Sequence, residues 1–418
     1  MALGCSLRFL GLAAALSLAL PLAAAEDPTR ALVDAFWFAE TEAEAESAGE
    51  SLLTTAGGVE ALYRRLRIGP EFSAAVPVGV QRFERTASDG RTFPYVVLIP
   101  ESYESARPYP VEFMLHGGVG RERPQPGDLL WRGGYDGLKR EDRIVVVPAA
   151  WREAYWWQPA QAENVKAILR SLKQSYNVDD DRVSMTGVSD GGTGAYFFAF
   201  KQPTHWASYF AYIGHPGVLR NAQSGGGYQL YFENLFGAAL YIVNGTNDRL
   251  YPAATMEPFI EVLDQAGIEH VFRSIEGGGH DTRWLPQERQ QIEAFRVANV
   301  RDPHPETVQW VTDRTDRFNR NHWIRIDELS VEGRPSLLRA TRAGNTIQVT
   351  ARGVSEFTLM LSPEAVDFSN PLLVSVNGRV VLAGPVRQSS ETLLDWAWRT
   401  HDRSQLYTAE LTLEVPPG

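Results

Sequence analysis

Three short stretches set reactive side chains among glycines. GVSDGG (187–192) carries Ser189, NGTNDRLYP (244–252) carries Asp248, and GGGHD (277–281) carries His280. A serine hydroxyl is a weak nucleophile until an imidazole takes its proton, and the imidazole needs a carboxylate to orient it and balance its charge. Asp281 neighbours His280 but cannot replace it as the base. Asp248 and Asn247 also read as turn or helix-capping residues ahead of YPAATMEPF, the alternative to a catalytic role. A fourth stretch, LHGGVG (115–120), places His116, Gly117 and Gly118 at the end of an apolar run. Backbone N–H groups there, with that of Asp190, are candidates to hold the oxyanion of a tetrahedral intermediate. The chemistry expected is acyl transfer through Ser189, with His280 as base and Asp248 as orienting acid.

That chemistry requires elements that deliver each residue to one edge. DRVSMTG (181–187) reads as a strand directly before Ser189, and GAYFFAFKQ (194–202) as a helix directly after it. A strand–turn–helix of this kind needs a tight turn, and glycines at 187 and 191 permit it. FPYVVLIP (93–100), YPVEFMLHGG (109–118), RIVVVPA (143–149), SYFAYIG (208–214), GAALYIVNG (237–245) and HVFRSIEG (270–277) are further apolar runs with strand character. Segments 162–178, 253–267 and 286–300 repeat apolar residues at helical spacing. Alternation of buried strands with helices predicts a mostly parallel sheet covered on both faces. Asp248 and His280 then follow successive strands, at the carboxyl edge where ligands gather in open α/β sheets.

The remainder of the chain frames this unit. The segment 1–25 has a single positive charge (Arg8), an apolar run of about a dozen residues and Ala23-x-Ala25 before Glu26. It predicts a cleavable signal peptide and export to the periplasm or beyond, since the run falls short of the ~20 residues that span a bilayer. No stable membrane insertion is expected after cleavage. The only cysteine, Cys5, lies in that segment, so the mature chain is expected to have no disulfide and no thiolate metal site. Residues 26–77 read as a helical extension and 78–300 as the α/β unit. RDPHPETV (301–308) reads as a linker. Residues 309–418 alternate apolar and polar positions, with Asn377-Gly378 as a two-residue hairpin signal and ETLLDWAWR (391–399) as one helix; they predict a small β-rich, sandwich-like unit.

Composition excludes other classes. The net charge of −11 over 418 residues offers no basic stripe for nucleic acid. No H-E-x-x-H, ligand-spaced cluster, dinucleotide fingerprint or phosphate loop is present, so no metal and no cofactor are expected.

Taken in order, LHGGVG, GVSDGG, NGTNDRLYP and GGGHD resemble the α/β-hydrolase superfamily over residues 80–300. The branch is that of secreted esterases, polyester depolymerases and prolyl-oligopeptidase-like catalytic domains. The segment AILRSLKQSYNVDDDRVSMTGVSDGG (167–192) is similar to the helix, strand and elbow of that branch. The resemblance implies serine hydrolase chemistry through an acyl-enzyme. It places nucleophile, acid and base on Ser189, Asp248 and His280, and the oxyanion donors on the backbones of Gly117, Gly118 and Asp190. It does not extend to the N-terminal helices or the β-rich tail.

The substrate is expected to be a small or polymeric ester. AAWREAYWWQPAQ (149–161) brings Trp156 and Trp157 near the expected pocket, where aromatic walls suit sugar rings or aromatic acyl groups; packing of the loops is the alternative. His116 and His215 (in YIGHPG) are further candidates to line the site. A peptide substrate is the second reading, although the residues ahead of the sheet cannot form the propeller of oligopeptidases. An inactive hydrolase used for binding is the third.

Overall fold

A computed structural model describes residues 29–87 and 89–417; the expected signal peptide and Cys5 lie outside the described residues. The chain first forms three helices, α1 (Arg30–Phe38), α2 (Glu42–Thr55) and α3 (Val59–Ile68). Thr41 and Glu44 close a reciprocal capping box at the start of α2. Gly69, at φ 81°, ends α3 before Pro70. The predicted extension therefore stops being helical at Ile68, and residues 70–78 run without helix to the first strand.

Eight strands make the main sheet: β1 (Gly79–Thr86), β2 (Thr92–Ile99), β3 (Tyr109–Leu115), β4 (Ile144–Pro148), β5 (Val178–Val188), β6 (Ser208–Tyr212), β7 (Leu240–Gly245) and β8 (His270–Ile275). Their order is β1-β2-β4-β3-β5-β6-β7-β8, with β2 antiparallel to both neighbours and every pairing from β4 to β8 parallel. Helices α4 (Pro159–Ser175), α5 (Asp190–Lys201) and α6 (Glu257–Gln265) join parallel strands, and α7 (Leu285–Ala298) follows the last of them. Strand β4, IVVVP, is buried at every position, as a strand covered on both faces must be. Strand β1 was not individually legible. Its GVQRFERT lies at the sheet edge with mixed charge and partial exposure, so no apolar run marks it. This order, with its single reversed strand, is the α/β-hydrolase fold.

One polar group is built into that core. Glu112 on β3 is buried, accepts from Arg143 Nε at 2.8 Å, Arg296 Nη2 at 2.7 Å and Thr186 Oγ1 at 2.7 Å. Burial alone would raise its pKa, but Arg296 and Arg143 hold it down at about 2.

Beyond the sheet the chain forms β9 (Thr307–Thr312), β10 (Arg320–Asn321), β11 (Ile324–Leu329), β12 (Ser336–Ala343), β13 (Thr346–Arg352), β14 (Val354–Leu361), β15 (Leu372–Val376), β16 (Arg379–Gly384), α8 (Ser390–Thr400) and β17 (Ala409–Glu414). They make a four-stranded sheet, β10-β11-β14-β17, and a five-stranded one, β16-β15-β13-β12-β9. Side chains from both, among them Trp310, Leu338, Val349, Ile326, Phe357 and Leu359, share one apolar core. Asn377 and Gly378 both have positive φ (50° and 81°), the geometry the β15–β16 hairpin requires.

Two features depart from the sequence expectation. The segment 301–308 is no free linker. Strand β9 already begins at Thr307, and Arg301 is buried with ion pairs to Asp181 and Asp402, both at 2.7 Å. The single helix of the tail, α8, packs its Leu393, Leu394 and Ala397 into one cluster with Leu52, Leu62 and Leu66 of the N-terminal helices. The two ends of the chain thus share a core.

Candidate active site

Strand β5 ends at Val188 and α5 starts at Asp190, so Ser189 alone makes the turn. Its φ of 58° and ψ of −117° form a conformation that residues with a Cβ avoid, at a cost of roughly 1–3 kcal/mol. The neighbours explain how it is held. A Cβ on Gly187 would overlap the Gly191 carbonyl, and one on Gly191 would overlap the Leu115 carbonyl, so only glycine admits this crossing of strand and helix. The Ser189 N–H donates to Tyr212 O at 2.9 Å, and Ser189 O accepts from Thr193 N at 3.0 Å. Behind the turn Ala195–Phe200 are all fully buried, which anchors α5 against the sheet.

His280 bridges the other two residues. Its Nε2 lies 2.8 Å from Ser189 Oγ and its Nδ1 2.8 Å from Asp248 Oδ2. The carboxylate can only accept, so Nδ1 carries the proton and Nε2 is free to receive one from Ser189. Asp248 is buried, and its other oxygen accepts from Leu250 N at 2.8 Å and Tyr251 N at 3.0 Å. It is thus a turn residue that also holds the His280 ring through a hydrogen bond. Tyr251 also lays its ring edge-on to His280, with centroids 5.9 Å apart, and the His215 ring lies 5.8 Å beyond it. Tyr251 was not singled out from sequence; its place three residues after Asp248, in the turn that Asp248 caps, is the signal that identifies it.

The LHGG turn meets the serine directly. A Cβ on Gly117 would stand 2.8 Å from Ser189 Cβ and 2.9 Å from Val188 O, and Gly118 has φ 70°. The N–H groups of Gly117, Gly118 and Asp190 have no hydrogen-bond partner among the described residues. They are open donors at the N-terminus of α5, where the helix dipole favours negative charge. The Asp190 side chain has a part that sequence reading missed: Oδ2 accepts from Val119 N at 3.0 Å, tying the turn to the helix.

Three expected lining residues sit elsewhere. His116 is buried; its Nε2 accepts from Ala150 N at 3.0 Å, so Nδ1 carries the proton and donates to Gly117 O at 2.9 Å. Burial, with Arg121 beside it, pulls its pKa down to about 3, and it stays neutral. It therefore supports the turn from behind. Trp156, with no exposed surface, donates Nε1 to His116 O at 2.9 Å, and Trp157 donates to Ser224 O at 3.0 Å while 2% exposed. These two tryptophans brace loops and present no face to a substrate, because their apolar surface is already used in the core. His215 remains half-buried at the side of Tyr251, its Nδ1 accepting from Gly217 N at 2.9 Å. Among the described residues, no group of three or more His, Cys, Asp or Glu side chains could hold a metal ion, and no helix is long and apolar enough to cross a membrane.

No protein-family model matches this sequence, and no curated protein matches it. Solved structures match about half of the chain. A thermostable esterase is 19% identical over 53% of this chain and 63% of its own, with a TM-score of 0.42. A fluorophosphonate-binding serine hydrolase of Staphylococcus aureus is 17% identical over 53% of this chain and 99% of its own, with a TM-score of 0.43. The dipeptidyl peptidase 4 of Porphyromonas gingivalis is 15% identical over 53% of this chain, which spans only 35% of that enzyme, with a TM-score of 0.42. At these values the assignment rests on the molecule's own strand order and elbow: residues 79–298 have the α/β-hydrolase fold.

Proposed function

We propose that this protein is an exported serine hydrolase that cleaves carboxylic esters. The observation that supports this reading above all others is His280 spanning Ser189 Oγ and Asp248 Oδ2 at 2.8 Å on each side. In the proposed reaction His280 Nε2 takes the Ser189 proton as Oγ attacks the ester carbonyl. Asp248 stabilises the imidazolium, and the tetrahedral oxyanion is met by the N–H groups of Asp190 and the Gly117–Gly118 turn. Each such donor contributes about 3–4 kcal/mol to the transition state. The imidazolium then protonates the departing alcohol. Water, deprotonated by the same His280, attacks the acyl-serine and releases the acid and the free hydroxyl. Export through a cleavable segment at 1–25 belongs to the same proposal, on the charge and apolar pattern of that segment.

The test is mass spectrometry of wild type and Ser189→Ala after exposure to a fluorophosphonate, with release of p-nitrophenol from short acyl esters assayed in parallel. Adduct and turnover in the wild type, both lost in the variant, support the reading. Labelling without ester turnover would move the substrate to amides. A folded wild type that takes no label would overturn the hydrolase reading and leave a binding role.

A further inference from the structure

A cavity of about 300 Å³ lies between the α/β unit and the β-rich unit. One wall is α4, the C-terminal end of α5 and the turn after it, with Lys166, Lys201, Gln202 and His205; the other is the segment leading into β10, with Arg317 and Arg320. It stands at the far end of α5 from Ser189, a helix on the order of 18 Å long, so it is separate from the site above.

Of the four cations at the cavity only Arg317 reaches a carboxylate among the described residues, Asp316 Oδ2 at 4.0 Å, and Lys201 lies over the Tyr231 ring at 5.1 Å. Lys166 and Arg320 make no ion pair among the described residues; Arg320 donates to His322 O and Gln405 Oε1 and stacks on Trp396. Lys201 is 6% exposed and donates to the Gln229 carbonyl at 2.8 Å. Of the two carboxylates at the cavity, Asp316 is held by Arg314 through bonds of 2.6 and 2.8 Å, and Glu163 is exposed. Two buried polar atoms, His205 Nδ1 and Gln202 Oε1, have no hydrogen-bond partner among the described residues. A buried charge or polar atom left unmatched is costly, and native structures leave few such groups without a partner.

We propose that this cavity is a binding site for a small anion carrying phosphate or carboxylate groups, clamped between Lys166 and Lys201 on one side and Arg317 and Arg320 on the other. The lysines supply compact charges, the arginines planar forks suited to oxyanions, and His205 a neutral donor. The electrostatics agree. Burial draws the Lys201 ammonium down to about 8 and lowers Lys166 and Arg320, and the nearby Asp313, Glu163 and Asp402 only partly offset it. A ligand bridging both walls would bind the folded state alone and raise its melting temperature by mass action.

The experiment titrates inorganic phosphate and citrate into the full chain by calorimetry and by thermal unfolding. Chloride at matched ionic strength is the control, because excluded salts stabilise any fold. Wild type is expected to bind at least one of the two. Lys166→Gln and Arg317→Gln are expected to bind roughly tenfold more weakly, the loss of one charge-assisted hydrogen bond, with ester turnover unchanged. Tighter phosphate would mark a phosphate ligand, and tighter citrate a polycarboxylate. No heat and no shift beyond chloride would overturn the proposal, as would equal responses in wild type and both variants. If Lys166→Gln fails to fold, Arg317→Gln, on the exposed rim, decides by itself.

Discussion

The turn at Ser189 and the junction around Arg301 both bury charge, and they do it in opposite ways. At the turn a single carboxylate, Asp248, faces one imidazole, and the chain holds a strained serine beside three unpartnered N–H groups. At the junction the Arg301 guanidinium donates to both oxygens of Asp402, to Asp181 Oδ1, to Thr204 O and to Ser404 Oγ. Lys173 adds an ion pair to Asp180 at 2.6 Å and lies 3.8 Å from Asp402. Every donor of Arg301 is used, and it is the rigid fork that makes this possible. Open donors and strain belong where a reacting group must be received; saturated pairs belong where two parts of the chain must not move. The first arrangement costs stability, and the second makes stability depend on every member being present.

Substitutions can break this contrast in order of size. Ser189→Ala is expected to lower kcat by a factor on the order of 10⁵–10⁶, read from ester hydrolysis. Ser189→Gly is expected to be equally inactive yet about 1 kcal/mol more stable to urea, because glycine accepts φ 58° without strain. A less stable glycine variant would refute the claim that the turn is strained. Asp248→Asn is expected to reduce kcat by roughly 10⁴, since an amide favours the wrong imidazole tautomer.

At the junction the expected losses are in folding. Arg301→Leu strands Asp402 and Asp181, and is expected to cost about 3–5 kcal/mol in urea titrations while the folded fraction keeps its kcat. An unchanged midpoint would show that the pairs contribute nothing net.

Acid should separate the regions further. Burial depresses the pKa of His205 and His401 far below the ordinary range, lowers His304, and brings His322 and His116 to about 3. The unfolded chain takes up a proton on each near pH 6.5, and the folded chain resists it. For His205, His401, His322 and His116 the contribution is therefore complete above about 6.5 and falls as pH drops toward 3, by roughly 1 kcal/mol per histidine per pH unit, and His304 acts in the same direction. Urea midpoints measured from pH 7 to 5 should decline steeply; a flat profile would mean these rings protonate in place.

The smallest effect sharpens the site itself. His116→Asn is expected to lower kcat by no more than about 10²-fold through displacement of the Gly117 turn. The pH–rate profile should keep its shape, because His116 stays neutral across the assay range. A moved limb would assign the titration to His116.

Much of the α/β unit is legible from its residues. Glycines at 187 and 191 and apolar runs before and after Ser189 report local geometry, and local geometry is what a short stretch encodes. In the tail, the alternation of apolar with polar residues in TVQWVT, IRIDEL and SLLRATRA marks a β-rich unit but carries no record of which strand pairs with which across its two sheets. Trp156 and Trp157 misled for a different reason. An aromatic cluster beside a predicted site looks the same in sequence whether it faces a ligand or the underside of a loop.

The chain by itself determined that Ser189, Asp248 and His280 each follow a strand, and so share one edge of a sheet. It determined the alternation that makes that sheet parallel. Only the tertiary structure decided that α8 closes on α1–α3, that Arg301 locks residues 301–308 in place, and that His116 turns inward to hold the Gly117 carbonyl. The physical reason is one of range. Propensity and periodicity act within a few residues, whereas Arg301 meets Asp181 and Asp402 across 120 and 101 positions, distances over which composition carries no record of partner.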